Sequence, residues 1–279
     1  MAKGKTLSEI VEEYISAGRI ELPVLDKTAI RIQEMMAKGE YDPVAVERLV
    51  VSDPALSGSL LRHANSSFFG GIEKVLTVRD AIVRLGVKRV AELVLLSTIG
   101  EQYQLSNEIF RDFATRLWRH AVGAGLGAQW LAKKTMANRV QEAFLAGLMH
   151  DIGKLLLLRV LDELVRAKTL KFMPSEDLIL ELLDGLHCSC GEMLLQYWNL
   201  PDAYAVVVRA HHDEDYPENE TLLSCVRLAD LACNRLGIGI GPPSDINLAA
   251  SIEAQRLRVS EIVLAELEIV LEDAMELAQ

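Results

Sequence analysis

The sequence predicts an all-α protein of two helical subdomains, and three features carry that prediction. Nearly every apolar stretch repeats at three- and four-residue steps. Few stretches alternate at the period of two that a half-buried strand requires. Small polar residues open two of the periodic segments, one of them with Pro close behind, and Asn or Gly closes them. Of 279 residues, 50% are hydrophobic and 25% charged, a balance that can bury a substantial core.

The elements follow in chain order. Ser52-Asp53-Pro54 offers an N-cap and a first-turn proline for a helix through Ala55, Leu56, Leu60 and Leu61 that ends near Asn65-Ser66-Ser67. Thr77-Val78-Arg79-Asp80 resembles a capping box, with Gly86 as the stop. A further helix ends near Gly100. The polar, aperiodic run from Glu101 to Glu108 then marks a domain boundary, giving an N-terminal helical subdomain over 1–104 and a second over 105–236. The acidic run Asp213 to Glu220, with Pro217, reads as a loop, as does Gly237 to Asp245. The last segment, 237–279, closes with an amphipathic helix whose apolar positions are Ile262, Leu264, Leu267, Val270, Leu271, Met275 and Leu277. Packing on the body is the expected fate of that stripe, ahead of binding a partner. No repeat or low-complexity tract interrupts the chain.

A net charge of -11 offers no broad basic face for a phosphate backbone, which argues against nucleic acid as the main partner. No apolar run approaches the ~18 residues of a membrane span, and the first ten residues lack the apolar core of a signal peptide. Cys188, Cys190, Cys225 and Cys233 form no Cys-x-x-Cys pair and read as free thiols of a reducing compartment rather than as metal ligands. Together these place the chain in the cytoplasm.

Five of the six histidines lie in one third of the chain, residues 120–212. His120 falls seven residues, nearly two turns, after Phe113 on a stripe continued by Leu117, Ala121, Ala124 and Ala128, so it faces inward. Val140, Phe144, Gly147 and Leu148 define the next buried face. Asp151, four after Gly147, joins it if that helix continues so far. Asp230 follows Val226 by four on the face of Leu222 and Cys233. His187 shares a stripe with Gly191, Leu194, Leu195 and Trp198, and His211 follows Val207 by four. A single inward histidine is usually a hydrogen-bonded core residue. Two inward aspartates among several histidines point instead to a metal site, because imidazole with carboxylate suits Zn, Fe, Mn or Ni, and cations neutralise carboxylates that are costly to bury. The alternatives for Asp151 are exposure or a paired core carboxylate.

The segments ELPVLDKTAIRIQEM, SDPALSGSLLRHANSSFFG, TVRDAIVRLGVKRV, FLAGLMHDIGKLLL, HCSCGEMLLQYWNLP and VRAHH, in this order across residues 20 to 235, resemble the HDOD family. HDOD proteins are bacterial signal-transduction output domains related to the HD superfamily of helical, metal-dependent phosphohydrolases. The resemblance implies an HD-like C-terminal subdomain and protein partners in signalling. Many HDOD members have lost the HD ligands, and this chain retains them. By resemblance to HD-GYP relatives, His120, His150 and Asp230 hold one metal, Asp151 bridges, and His187, His211 and His212 hold a second. Asp151 and Lys154 then serve a phosphohydrolase reaction, with Lys154 as the contact to a substrate phosphate such as a nucleotide's. The competing reading of Lys154 is a helix C-terminal lysine favoured by the dipole.

Departures from those relatives narrow the expectation. The chain reads HHDEDYP where HD-GYP enzymes carry a glycine-rich segment ending in Gly-Tyr-Pro, which argues against efficient hydrolysis of cyclic-di-GMP. Arg116 stands where some relatives place another carboxylate ligand, so two metals are expected and not three. His63 lies outside the cluster and reads as a packing residue. Two functions result: a regulatory output module with a retained dinuclear site, or an active phosphohydrolase or phosphodiesterase on a nucleotide.

Overall fold

Helices supply every regular element among the described residues, in keeping with the caps and the three- and four-residue apolar periods. The computed structural model describes residues 5–20, 22–23, 26–37, 39, 42–66, 69, 74–136, 139–275 and 277–278, and no strand occurs among them. Glu21, Val24, Leu25, Ser67, Phe68 and Gly70 of the family-like segments lie outside the described residues. No helix among the described residues is long and apolar enough to cross a membrane.

The chain divides into two compact units, one of Val24–Gln104 and one that combines Met1–Pro23 with Leu105–Ala278. The expectation of an N-terminal subdomain over 1–104 therefore differs from the structure at its start. Helix α1 (Leu7–Ser16), capped reciprocally by Thr6 and Glu9, packs on two helices of the later unit, α9 (Ile152–Arg166) and α10 (Glu176–Tyr197). Sequence order alone could not reveal that return, which adjoins the bond from Trp198 Nε1 to the Pro23 carbonyl at 2.7 Å.

The Val24–Gln104 unit holds α2 (Lys27–Ala37), α3 (Pro43–Val51), α4 (Pro54–Ala64), α5 (Val78–Leu85) and α6 (Val87–Gly100). Asp53 caps α4 by accepting from the amides of Ala55 and Leu56, and Pro54 takes the first position. Thr77 caps α5 through the Asp80 amide, and Gly86 ends it at φ 78°, a left-handed backbone conformation that suits glycine. Helix α6 is apolar nearly all round and is buried accordingly, from Val90 to Leu96 and again at Thr98 and Ile99.

In the other unit α7 (Glu108–Thr135) is the central rod, about 42 Å long at 1.5 Å per residue. It packs on α8 (Val140–Met149), α9, α12 (Thr221–Arg235) and α14 (Glu261–Ala274). Its start is fixed from a distance: the buried Asp162 carboxylate of α9 accepts from the amides of Ser106 (3.1 Å) and Asn107 (2.9 Å). Helices α11 (Asp202–Ala210) and α13 (Ile252–Leu257) complete the unit. The C-terminal helix docks through Leu264, Leu267, Leu271 and Ala274, but Ile262, expected on its apolar stripe, is 73% exposed. It lies two residues, about 200° around the helix, from the buried Leu264 and so points away from the docked face.

Candidate metal centre

Two close helix crossings bring the histidines together. A Cβ on Gly147 of α8 would come within 2.5 Å of the Ala124 carbonyl of α7, and one on Gly153 of α9 within 1.9 Å of the His187 carbonyl of α10. Only glycine permits either approach. The first crossing sets His150 beside His120, and the second sets Asp151 beside His187.

Asp151 does not sit on an extension of α8, as the period from Gly147 would have it. Helix α8 ends at Met149, and His150-Asp151 form the turn into α9. A turn lets two consecutive side chains face one site, which a continuous helix would separate by 100°. The dipole reading of Lys154 is likewise corrected: it lies in the first turn of α9, where the dipole disfavours a cation. What holds it there is Asp151, whose Oδ2 accepts from Lys154 Nζ at 2.8 Å.

Four histidines share one arrangement. His120 Nδ1 donates to the Ile238 carbonyl (2.8 Å), His150 Nδ1 to Gly147 (2.7 Å), His187 Nδ1 to Leu183 (2.7 Å) and His211 Nδ1 to Val208 (2.9 Å). A carbonyl can only accept, so each Nδ1 carries the proton, and in a neutral ring Nε2 is left as a lone pair. Those Nε2 atoms converge. His120 and His150 are 3.2 Å apart at Nε2, His187 and His211 3.3 Å, His187 and His212 3.1 Å. Asp151 stands between the two groups: its Oδ2 is 3.6 Å from both His120 and His150 Nε2, and its Oδ1 is 3.5 Å from His187 and 3.4 Å from His211. Asp230 Oδ1 lies 3.2 Å from His120 Nε2 and also accepts from Asn234 at 2.9 Å.

The two groups, His120-His150-Asp151 and Asp151-His187-His211-His212, each gather ligand atoms within 4.8 Å of one another. Ligands on one ion at 2.0–2.1 Å are separated by about 2.9 Å at right angles and about 3.4 Å at the tetrahedral angle. The observed nitrogen separations fall in that interval. Asp151 Oδ1, by contrast, is buried and accepts no hydrogen bond within the protein. The donor set could hold divalent metal.

The electrostatics agree. Burial pushes His150 down to about 3 and both His187 and His212 down to about 4, so these rings are neutral at physiological pH, as ligation requires. Burial also opposes charge on His120, but the hydrogen bond and charge of Asp230 outweigh it and raise its proton affinity. Burial would raise the Asp151 carboxyl; Lys154 and His150 overcome this and hold it well below the usual carboxylate range. Asp230 is lowered in the same way, against burial, by its bond from His120.

Three supporting features are ones that the sequence does not single out. Cys188, set aside with the other thiols, has its Sγ 3.4 Å from His187 Nε2, and burial pushes its own proton affinity up to about 11. Its position next to His187 was the available signal. The Ile238 carbonyl orients His120 from the Gly237–Asp245 loop, and a backbone acceptor leaves no mark in a sequence. Arg227 of α12 braces the His211-His212 turn from behind: Nη1 donates to the Asp213 carbonyl at 2.5 Å, while Nε donates to the buried Glu253 of α13 at 2.6 Å. The Tyr216 ring lies between the Arg227 and Arg256 guanidiniums, at 4.7 and 4.0 Å.

A family model for the HDOD domain matches residues 22–214, more than two thirds of the chain. The chain belongs to the HDOD family. Among solved structures, this HDOD chain is similar to an HDOD domain protein of unknown function from Geobacter sulfurreducens, with a TM-score of 0.75 at 21% identity, covering 96% of this chain and 95% of that one. It is also similar to a Shewanella amazonensis SB2B protein designated a candidate metal-dependent phosphohydrolase, with a TM-score of 0.72 at 19% identity and 98% of each chain covered. At these identities the similarity concerns the fold. An uncharacterized protein of Treponema pallidum (strain Nichols) is 26% identical over 223 residues, 77% of this chain but 43% of that protein, so the chain spans less than half of that relative's length. Asp230, Ile238 and Glu253 lie beyond the residues that the family model matches.

Proposed function

We propose that this HDOD chain is an output module of a bacterial signalling pathway that retains a dinuclear centre for divalent transition metals, Fe, Mn, Zn or Ni. The observation that carries the reading is the convergence of imidazole lone pairs on both oxygens of one buried carboxylate. In a metal-free core that arrangement leaves acceptors facing acceptors. His120, His150 and Asp230 with Asp151 Oδ2 would hold one ion, and Asp151 Oδ1 with His187, His211 and His212 the other. Occupancy then reports metal supply, redox state or a bound nucleotide to protein partners, while the net charge of -11 argues against a nucleic-acid partner.

A second reading, a metal-dependent phosphohydrolase or phosphodiesterase on a nucleotide, is favoured by Lys154. Its ammonium is kept charged next to the centre: burial lowers its proton affinity, but Asp151 more than restores it. Such a cation can hold a phosphate oxygen as a point charge. Bound divalent metals supply Lewis-acid polarisation of a phosphoryl oxygen and acidify water toward neutral pH. The protein's own part is to orient four imidazoles through their Nδ1 bonds and to keep Asp151 ionised.

Turnover by metal-loaded protein separates the readings. Cyclic dinucleotides, mononucleotides and phosphate esters, each tested with Mn²⁺ or Fe²⁺, should give no sustained turnover if the module is regulatory. Sustained metal-dependent turnover that is lost in Lys154→Met establishes the enzyme instead. For cyclic-di-GMP in particular, the rate should stay far below the ~10 s⁻¹ enzyme median under either reading, since the HHDEDYP segment lacks the glycines of the HD-GYP enzymes.

A further inference from the structure

We propose that Cys188 is a ligand of the second ion, adding a thiolate to Asp151, His187, His211 and His212 and making that position selective for softer metals. The proposal rests on the dinuclear reading above. His187 Nε2 is the hub of the second group, with His212 Nε2 at 3.1 Å, His211 Nε2 at 3.3 Å, Cys188 Sγ at 3.4 Å and Asp151 Oδ1 at 3.5 Å. An S–H donor on Cys188 could satisfy one lone pair in this set, and it leaves the other acceptors facing each other. An ion explains all four contacts. With a metal–nitrogen distance of 2.0–2.1 Å and a metal–sulfur distance of ~2.3 Å, the angles of about 90–120° in a five-donor shell separate adjacent N and S by about 3.1–3.8 Å, which brackets the observed 3.4 Å.

An independent observation points to the same place. Asp151 Oδ1, on a residue only 3% exposed, has no hydrogen-bond partner and lies against His187 and His211. The other three thiols differ from Cys188: Cys190, Cys225 and Cys233 are buried, while Cys188 is partly open to solvent, which gives an incoming ion a route. Coordination exchanges the S–H bond for a sulfur–metal bond and releases the proton to solvent. Thiolate shifts preference toward Zn²⁺, Fe²⁺ or Co²⁺ and away from Mn²⁺ or Mg²⁺.

Cobalt tests this on the full chain. Co²⁺-loaded protein should show a thiolate-to-cobalt charge-transfer band in the near ultraviolet, which Cys188→Ser removes while cobalt still binds and Cys190→Ser leaves intact. In Zn²⁺ competition, Cys188→Ser should weaken binding by at least about tenfold, the lower end of what losing an outer-shell partner costs. Cobalt bound to the parent without the band overturns the thiolate ligand and leaves the metal centre standing, whatever the variant's folding. A band that survives Cys188→Ser overturns it as well. No cobalt bound to the parent overturns both.

Discussion

Replacing Asp151 by Ala perturbs two things at once, and their magnitudes can be told apart. Asp151 is 3% exposed and accepts from Lys154, whose side chain is 14% exposed, so the substitution strands a buried ammonium. Breaking such a pair costs about 3–5 kcal/mol. The substitution also removes the carboxylate whose two oxygens face both histidine sets. Metal bound solely to the folded state adds RT ln(1 + [L]/Kd), about 2.7 kcal/mol per site at a hundred times Kd. A unit of this size shifts its Tm by about 2–4 °C per kcal/mol, so chelation should lower the parent's Tm by roughly 5–10 °C per site. Asp151→Ala should melt lower than the parent and hardly respond to chelator. The double variant Asp151→Ala with Lys154→Met removes the stranded charge; it should recover stability relative to Asp151→Ala without regaining a metal response. Four thermal melts, parent and Asp151→Ala with and without chelator, read the result. If the parent's curves superpose, or if Asp151→Ala keeps a chelator shift of parental size, the bridging role is refuted and Asp151 is a paired core carboxylate.

Three further predictions follow from the packing and the electrostatics. Chelated protein should lose stability as pH falls from about 6.5 toward 4, because the unfolded chain protonates histidines that the fold holds at about 3 (His150) and about 4 (His187). Each of these two contributes up to about 1.4 kcal/mol per pH unit, the exposed His212 adds less, and His120, raised in the fold, loses its stabilising share only as pH rises through its folded value. A Tm flat from pH 7 to 5 would contradict this. Gly153→Ala should destabilise by at least about 1–3 kcal/mol, since its Cβ meets the His187 carbonyl at 1.9 Å, whereas Gly185→Ala on the same α10, with nothing within 4 Å, should be neutral or stabilising by up to ~1 kcal/mol. Equal denaturation midpoints for the two variants would show that the α9–α10 crossing is not a tight constraint. Arg227→Met combined with Glu253→Gln releases the His211-His212 turn while leaving every ligand in place. Metal affinity by competitive titration should fall about 10- to 100-fold, and an unchanged affinity would remove Arg227 from the supporting set.

The all-α class and the starts of α4 and α5 are legible because caps and apolar periods are local properties: Asp53, Thr77 and Gly86 do what their residue types favour. His120 and Asp230 were placed inward by the same logic, since both lie within uninterrupted helices. Periodicity stopped being informative at turns. His150-Asp151 and His211-His212 sit where helices end, so the spacing that assigned Asp151 to the α8 face reached an inward residue through a helix that stops two residues earlier. Long-range partners were beyond reach for a different reason. Nothing within residues 1–23 reveals that α1 belongs with the later unit, and nothing in Ile238 marks its carbonyl as the acceptor that fixes the His120 tautomer. Cys188 matches a free thiol in type and spacing, and only the fold sets it against His187.

On the dinuclear reading, the convergent imidazoles and the two oxygens of Asp151 hold a pair of ions. Elemental analysis of protein purified without chelator, quantified per chain, addresses it most directly. A dinuclear centre should give close to two transition-metal ions per chain, or the same number after loading with Fe²⁺, Mn²⁺, Zn²⁺ or Ni²⁺, and a value well below one for Asp151→Ala. A parent chain that is metal-free as purified and takes up none of these ions on loading would contradict it.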